Sequence, residues 1–219
     1  MGRNIGVVKK SQYRTSQWSG GTTTELLIYP SDSSYSERSF KWRISSAEVE
    51  ASESTFTRLP GITRHIMVTD GQMLLDHQNQ YKKVLEPFQQ DVFMGDWKTV
   101  SHGKAIDFNL MLAVGFTGSL RVYFLEEGEQ IDLILNRGSL KQVTNVFYAL
   151  NGSLEIAVDE QKFNIERKDL LHITDLPEER NGMLKLENTS KHRLVVIRAE
   201  ILEQAGGLSP LGNTNRNLL

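Results

Sequence analysis

The sequence predicts an all-β protein built as two similar barrels in tandem, and three observations carry that prediction. Apolar and polar residues alternate with period two in one segment after another, Gly- and Asn-containing turn signals recur between them, and one strand-turn-strand pattern occurs twice. No long window sustains the 3.6-residue period of an amphipathic helix.

The elements follow in chain order. Thr23 and Glu25 share one face of an early strand. In residues 40–45, Phe40, Trp42 and Ile44 fall on one face and Lys41, Arg43 and Ser45 on the other. Asp70-Gly71, between apolar runs at 65–69 and 72–76, reads as the type I′ turn of a hairpin, because both residue types tolerate positive φ. Residues 107–112 alternate again and put Asp107 and Asn109 on a common face, and residues 120–124 repeat the pattern. Asn151-Gly152 reads as a second hairpin turn, and Asn136-Arg137-Gly138 and Asn181-Gly182 mark further turns.

The repeat lies in residues 66–75 plus 81–85 and again in residues 146–156 plus 162–165, with Gly71 and Gly152 standing 81 residues apart. An acidic residue beside an apolar stretch follows each copy, Gly95-Asp96-Trp97 in one and Lys168-Asp169-Leu170 in the other. This order resembles the middle of a cupin barrel of the jelly-roll type. The chain is therefore expected to be a bicupin, with a pocket-bearing barrel in residues 1–127 and a second barrel in residues 128–219 that ends in a polar tail from Gly206.

Composition narrows the function classes. A chain of 219 residues buries about 70% of its unfolded surface and needs no staple to fold. The absence of Cys removes disulfides, thiolate zinc sites and Cys nucleophiles. With 25 basic and 27 acidic residues and a formal charge of −2, neither nucleic acid nor a membrane is an expected partner. Without an apolar run of spanning length or a signal-like start, a cytoplasmic location is expected.

Typical cupins hold metal through two His one residue apart, a following Glu and a third His in a second motif. Aligning the first motif on Gly71 puts Arg58, Pro60 and Arg64 at those places, and aligning the second on Gly95 and Gly103 puts Ile106 where the last His would stand. Around Gly152, Asn145 takes the position of the Glu. Arginine does not shed its proton to become a ligand, so neither a metal nor another cofactor is expected. Of the five His, His65 and His172 read as strand positions, His77 as a hairpin-turn residue and His192 as strand-flanking, while His102 lies in a loop near the first barrel's mouth. P-loop, dinucleotide and Gly-x-Ser-x-Gly signatures are missing, and Ser101-His102-Gly103-Lys104 lacks the helical context that Ser-x-x-Lys chemistry uses.

Four segments together resemble the HutD/Ves family of cupin-like proteins: 18–26 (WSGGTTTEL), 40–47 (FKWRISSA), 56–64 (FTRLPGITR) and 107–111 (DFNLM). The segment at 18–25 is shorter than the commoner family form, so Thr23, Glu25, Arg43 and Arg64 carry over better than the loop glycines. The resemblance implies a two-barrel fold, often a homodimer, an association with histidine utilisation in some members, and an N-formylglutamate-like acid as ligand.

Alternation reaches a compatible site. Turned inward, the polar faces supply Thr23, Glu25, Arg43, Ser45, Asp107 and Asn109, with Arg64 completing a cavity of two guanidinium groups and two carboxylates. The planar guanidinium fork suits a carboxylate, so the leading expectation is a metal-free protein that binds a small carboxylate metabolite in an accessory or regulatory role. Two alternatives stand beside it. One is a metal-independent isomerase or hydrolase with Glu25 or Asp107 as general base, and the other is a dimeric interaction protein without a ligand. Arg43–Glu25 and Arg64–Asp107 are equally readable as structural ion pairs, and Trp18 and Trp42 as core residues.

Overall fold

The structure, a computed structural model, describes residues 3–135, 140–175 and 182–204. The turn expected at Asn136-Arg137-Gly138, the residue Asn181 and the tail from Gly206 lie outside the described residues. Apart from a single 3-10 turn at Lys10–Gln12, every described element is a strand. The strands are β1 (Asn4–Val8), β2 (Arg14–Trp18), β3 (Gly21–Tyr29), β4 (Trp42–Val49), β5 (Glu53–Thr55), β6 (Ile62–Gly71), β7 (Met73–His77), β8 (Tyr81–Leu85), β9 (Gln90–Met94) and β10 (Thr99–His102). They continue as β11 (Ala105–Ala113), β12 (Phe116–Leu125), β13 (Gln130–Leu135), β14 (Gln142–Ala149), β15 (Leu154–Val158), β16 (Gln161–Ile165), β17 (Leu170–Asp175), β18 (Gly182–Asn188) and β19 (Leu194–Glu203).

Four antiparallel sheets stack as layers. Sheet 1 has the order β5-β10-β7-β8, sheet 2 β2-β3-β4-β11-β6-β9, sheet 3 β12-β19-β14-β17-β1 and sheet 4 β13-β18-β15-β16. Three apolar clusters set the stacking order. Ile66, Val68, Met73 and Leu75 join sheet 1 to sheet 2. Ile44, Phe108 and Leu110 join sheet 2 to Val146, Tyr148 and Ile197 of sheet 3. Phe147 and Ile173 join sheet 3 to Ile156 and Leu186 of sheet 4. Sheets 2 and 3 are therefore buried on both faces, which is why β11 and β14 are apolar on the outward-facing side of each pair as well as carrying polar residues inward. Strands β1 and β12, although N-terminal to residue 127, belong to sheet 3, so the expected division at that residue is not a division between sheets.

The two dipeptides expected to close hairpins do something else. β6 pairs with β11 and β9, and β7 pairs with β10 and β8; no ladder joins β6 to β7. Asp70-Gly71 is a corner at which the chain passes from sheet 2 to sheet 1. Gly71 takes φ +76°, and a Cβ there would sit 2.4 Å from the Lys104 carbonyl oxygen. Asn151-Gly152 makes the matching corner from sheet 3 to sheet 4, since β14 and β15 share no ladder either. A glycine-containing dipeptide marks a sharp change of direction without saying whether the strands on its two sides will pair.

The repeated pattern keeps Gly71 opposite Gly152, and one counterpart changes. The counterpart of Lys168-Asp169 is Phe88-Gln89, and not Gly95-Asp96. Phe88 and Lys168 both take positive φ, 68° and 67°. The Phe88 N–H donates to Val68 O at 2.7 Å and the Lys168 N–H to Ala149 O at 2.6 Å. Val68 and Ala149 donate back, each at 3.1 Å, to the carbonyls of Gln89 and Asp169. His77 is also relocated, from a turn to the last residue of β7, with its side chain fully buried.

Candidate functional site

A cavity of about 410 Å³ opens between sheets 1 and 2. Its floor is the inward face of sheet 2, and the register fixes which residues share each row. One row runs Arg43, Met111, Arg64 and Phe93 across β4, β11, β6 and β9. The next runs Glu25, Ser45, Asn109 and Ile66, and the third Thr23, Ala47, Asp107 and Val68. Arg43 and Arg64 thus flank Met111 two strands apart, about 10 Å between backbones. One bulge aims the acidic Glu25, and a second irregularity lies beside the cavity. The ladder slips between Glu25 and Leu27, which sends both Leu26 and Leu27 to the opposite apolar face and leaves Glu25 facing Ser45. The β6–β11 ladder slips between Ile106 and Asp107 by skipping Thr69 of β6, while β11 keeps its alternation against β4, so Asp107 stays on the face of Asn109.

Of the seven residues singled out from the sequence, Thr23, Arg43, Ser45, Arg64, Asp107 and Asn109 line this cavity, and Glu25 stands behind Arg43. The two arginines are held differently. Arg43 Nε donates to Glu25 Oε2 at 2.7 Å and Arg43 Nη1 to Ser45 Oγ at 3.0 Å, so its charge is matched. The pairing expected of Arg64 with Asp107 does not form: Arg64 Nε, Asp107 Oδ1 and Asn109 Oδ1 are all buried without a hydrogen-bond partner. Each guanidinium instead has an aromatic ring against one face. Tyr35 lies 4.5 Å from Arg43 Cζ, and Phe56 lies 4.6 Å from Arg64 Cζ. Both rings come from rim segments, the polar loop between β3 and β4 and the connection after β5. Tyr35 has no regular spacing to betray it, and Phe56 heads the segment 56–64 without any pattern that ties it to Arg64.

Trp18, read from sequence as core, lines the cavity and donates Nε1–H to Thr23 Oγ1 at 3.2 Å. Its ring lies on Gly20, where a Cβ would come within 2.1 Å of it, so the glycine is needed for the close approach. Trp42 is a core residue as read, stacked on Tyr29 at 5.4 Å.

Burial dominates the electrostatics. It pushes the Arg64 guanidinium below its ordinary value, an effect to which Arg43 adds and which Tyr35 and Asp107 oppose. It lifts the Asp107 carboxyl to about 7, against the opposing pull of Arg64 and of the Ala47 backbone N–H.

The histidines lie elsewhere. His77 bridges Thr99 Oγ1 at 2.8 Å and Asp91 Oδ2 at 3.0 Å, and so ties sheet 1 to β9 of sheet 2. His102 sits beside Glu53 at 3.4 Å, outside the cavity lining. Burial lowers His65 to about 4 and lowers His172 as well. Among the described residues, no three His, Asp or Glu side chains converge in a metal-ligand arrangement. Between sheets 3 and 4, Asn145 is engaged by Arg198, whose Nε and Nη2 donate to its Oδ1 at 2.9 and 2.7 Å, while Nη2 also reaches Glu200 at 2.7 Å. That arginine is satisfied; Arg64 is not. No helix among the described residues is long and apolar enough to cross a membrane.

Known structures share this architecture. A conserved protein of unknown function from Pseudomonas aeruginosa PAO1 superposes with a TM-score of 0.75 at 22% identity, over 90% of this chain and 98% of that one. HutD from Pseudomonas fluorescens SBW25 superposes with a TM-score of 0.64 at 21% identity, over 93% of this chain and all of its own. A mutant of Bacillus subtilis oxalate decarboxylase, a cupin-like neighbour, gives 0.60 at 8% identity, over 92% of this chain and 78% of that one. The model of the HutD family matches residues 10–194, which is most of the sequence, and the chain belongs to that family.

Proposed function

We propose that the cavity between sheets 1 and 2 binds a small carboxylate metabolite through Arg64, and that the protein acts in an accessory or regulatory role linked to histidine utilisation. Membership of the HutD family supports the link to histidine utilisation. The observation that carries the binding reading is the buried Arg64 Nε without an acceptor, on the same cavity floor as two unpartnered oxygens, Asp107 Oδ1 and Asn109 Oδ1. A buried polar group left unpaired costs about 1–3 kcal/mol, which a ligand that pairs it recovers. Arg43 and Glu25 neutralise each other, so one further anion balances Arg64 when Asp107 is protonated. A carboxylate fits the guanidinium fork, and an N–H elsewhere on the same ligand satisfies Asn109 Oδ1. An N-formylglutamate-like acid has both groups.

The same reading treats sheets 1 and 2 as one cupin-like barrel and sheets 3 and 4 as a second in tandem. The repeated turn at Phe88 and Lys168 and the two matching sheet corners support it. Thermal shift with N-formylglutamate tests the binding. The acid raises the melting temperature of the wild type, and Arg64→Ala removes the rise. A full shift in Arg64→Ala rules out the proposed site.

A further inference from the structure

The two central sheets are finished differently at corresponding edges. β4 stands two places from β6 in sheet 2, and β12 stands two places from β14 in sheet 3, so β4 and β12 are counterparts. Beyond β4, sheet 2 continues into β3, which pairs with β4 from Val49 to Trp42, and then into β2. Beyond β12, sheet 3 stops: among the described residues β12 pairs with β19 alone. We infer that the free edge of β12 is an interface at which two copies of this chain pair antiparallel about a two-fold axis, so that sheet 3 runs on from one copy into the other.

This edge differs from every other sheet edge in the described residues. β12 runs for ten residues, Phe116–Leu125, and its ladder with β19 has no register shift. The other terminal strands, β1, β2, β5, β8, β9, β13 and β16, are three to six residues long. Several are also blunted. β8 carries Lys82 and Lys83, and β16 carries Lys162. On β9, the Gln90 carbonyl accepts from Lys83 Nζ at 2.9 Å and the Val92 carbonyl from the Tyr81 hydroxyl at 3.5 Å. Short length, lysines and side-chain caps keep an edge from pairing. β12 has one charged residue, Arg121, no Pro, and is otherwise rich in aromatic and aliphatic residues. A long, regular, unpaired edge of that composition is a template for another strand.

Alternation identifies the groups on offer. The Leu120 carbonyl accepts from Gln90 Nε2 at 3.3 Å, off the β19 ladder. Leu120 and the residues in step with it, Gly118, Val122 and Phe124, therefore turn their N–H and C=O away from β19. Gln90 caps only one of these carbonyls, and as an exposed side chain it is free to turn to water. The side chains beside the edge are apolar, with Val122 half-buried and Phe124 38% exposed. A second copy fits because an antiparallel edge is complementary to itself under a two-fold axis. A register centred on Leu120 or on Val122 sets Arg121 against Ser119 or Tyr123 of the other copy, and keeps the two Arg121 side chains from facing each other.

The test uses the full chain. Sedimentation equilibrium should give twice the 24.9 kDa of one chain. Val122→Pro deletes an outward N–H without breaking the β12–β19 ladder, and should weaken self-association at least ~10-fold, with a thermal melt reporting that the variant is folded. The chain has no Cys, so a single introduced Cys links only to another copy. Val122→Cys treated with a short bis-maleimide should yield a covalent dimer, whereas Val92→Cys, 47% exposed beside the capped edge of β9, should not. A mass of one chain at every concentration overturns the inference. A dimer that persists in folded Val122→Pro overturns it as well, as does a dimer that Val122→Cys fails to link. Should Val122→Pro not fold, the contrast between the two Cys variants decides.

Discussion

Replacing Asp107 with Asn should make the protein more stable, and the gain should grow with pH. Asn keeps the shape of the neutral carboxyl but cannot ionise. The folded Asp107 titrates at about 7 instead of 3.8, because burial penalises its charged form. For an acid raised in this way, the native state holds a proton that the unfolded chain has released. The stability this contributes is complete below 3.8 and is lost as pH rises toward and through 7. The whole shift corresponds to about 4 kcal/mol, and the part lost between pH 5 and pH 8 is about 2–3 kcal/mol. For a chain of this size that is roughly 5–10 °C in melting temperature. The assay is a set of thermal melts of both proteins at the two pH values. Every other titrating group is common to the pair, so the difference of differences isolates Asp107. Melting temperatures that move in parallel, within a degree, refute the claim that Asp107 is buried and unpaired.

Affinity for a carboxylate should be greatest below about pH 7 and weaken above it, because ionised Asp107 competes with the ligand for Arg64; calorimetric titration on either side of neutrality measures this. Glu25→Gln leaves the Arg43 guanidinium buried without a counter-charge, and urea unfolding should show a loss of about 2–4 kcal/mol, the partial exposure of Glu25 placing it toward the lower end. Phe108→Ala empties part of the cluster between sheets 2 and 3 and should cost about 3–5 kcal/mol without changing ligand specificity, since Phe108 points away from the cavity.

Much of the site was legible because β-strand alternation is a strict period. Once Trp42 and Ile44 face a core, Arg43 and Ser45 face the other way, and the same logic carried Asp107 and Asn109. The bulge at Leu26 lies just past Glu25 and the other falls at Thr69 of the neighbouring strand β6, so neither disturbs the alternation of β11. Which strands pair was less legible. Gly71 supplies a positive φ that serves a sheet-to-sheet corner as well as a hairpin. The repeated turn went unseen because its left-handed residues are Phe88 and Lys168, side chains that carry no turn signal. The fate of each arginine also lay beyond sequence: residue types alone offered two symmetric ion pairs, whereas the fold closes one around Arg43 and leaves Arg64 open between Phe56 and the cavity. His77 looked like a turn residue because it precedes a polar stretch, and only tertiary packing brings Asp91 and Thr99 to its ring.

Carboxylate binding depends most on Arg64 presenting an unshared guanidinium edge to the cavity. A crystal structure of the protein soaked with N-formylglutamate examines that directly. The ligand carboxylate should lie within ordinary hydrogen-bonding distance, about 2.7–3.2 Å, of Arg64 Nε. A ligand that avoids the cavity, or an Arg64 guanidinium bonded to Asp107 with no room for an acid, would contradict it.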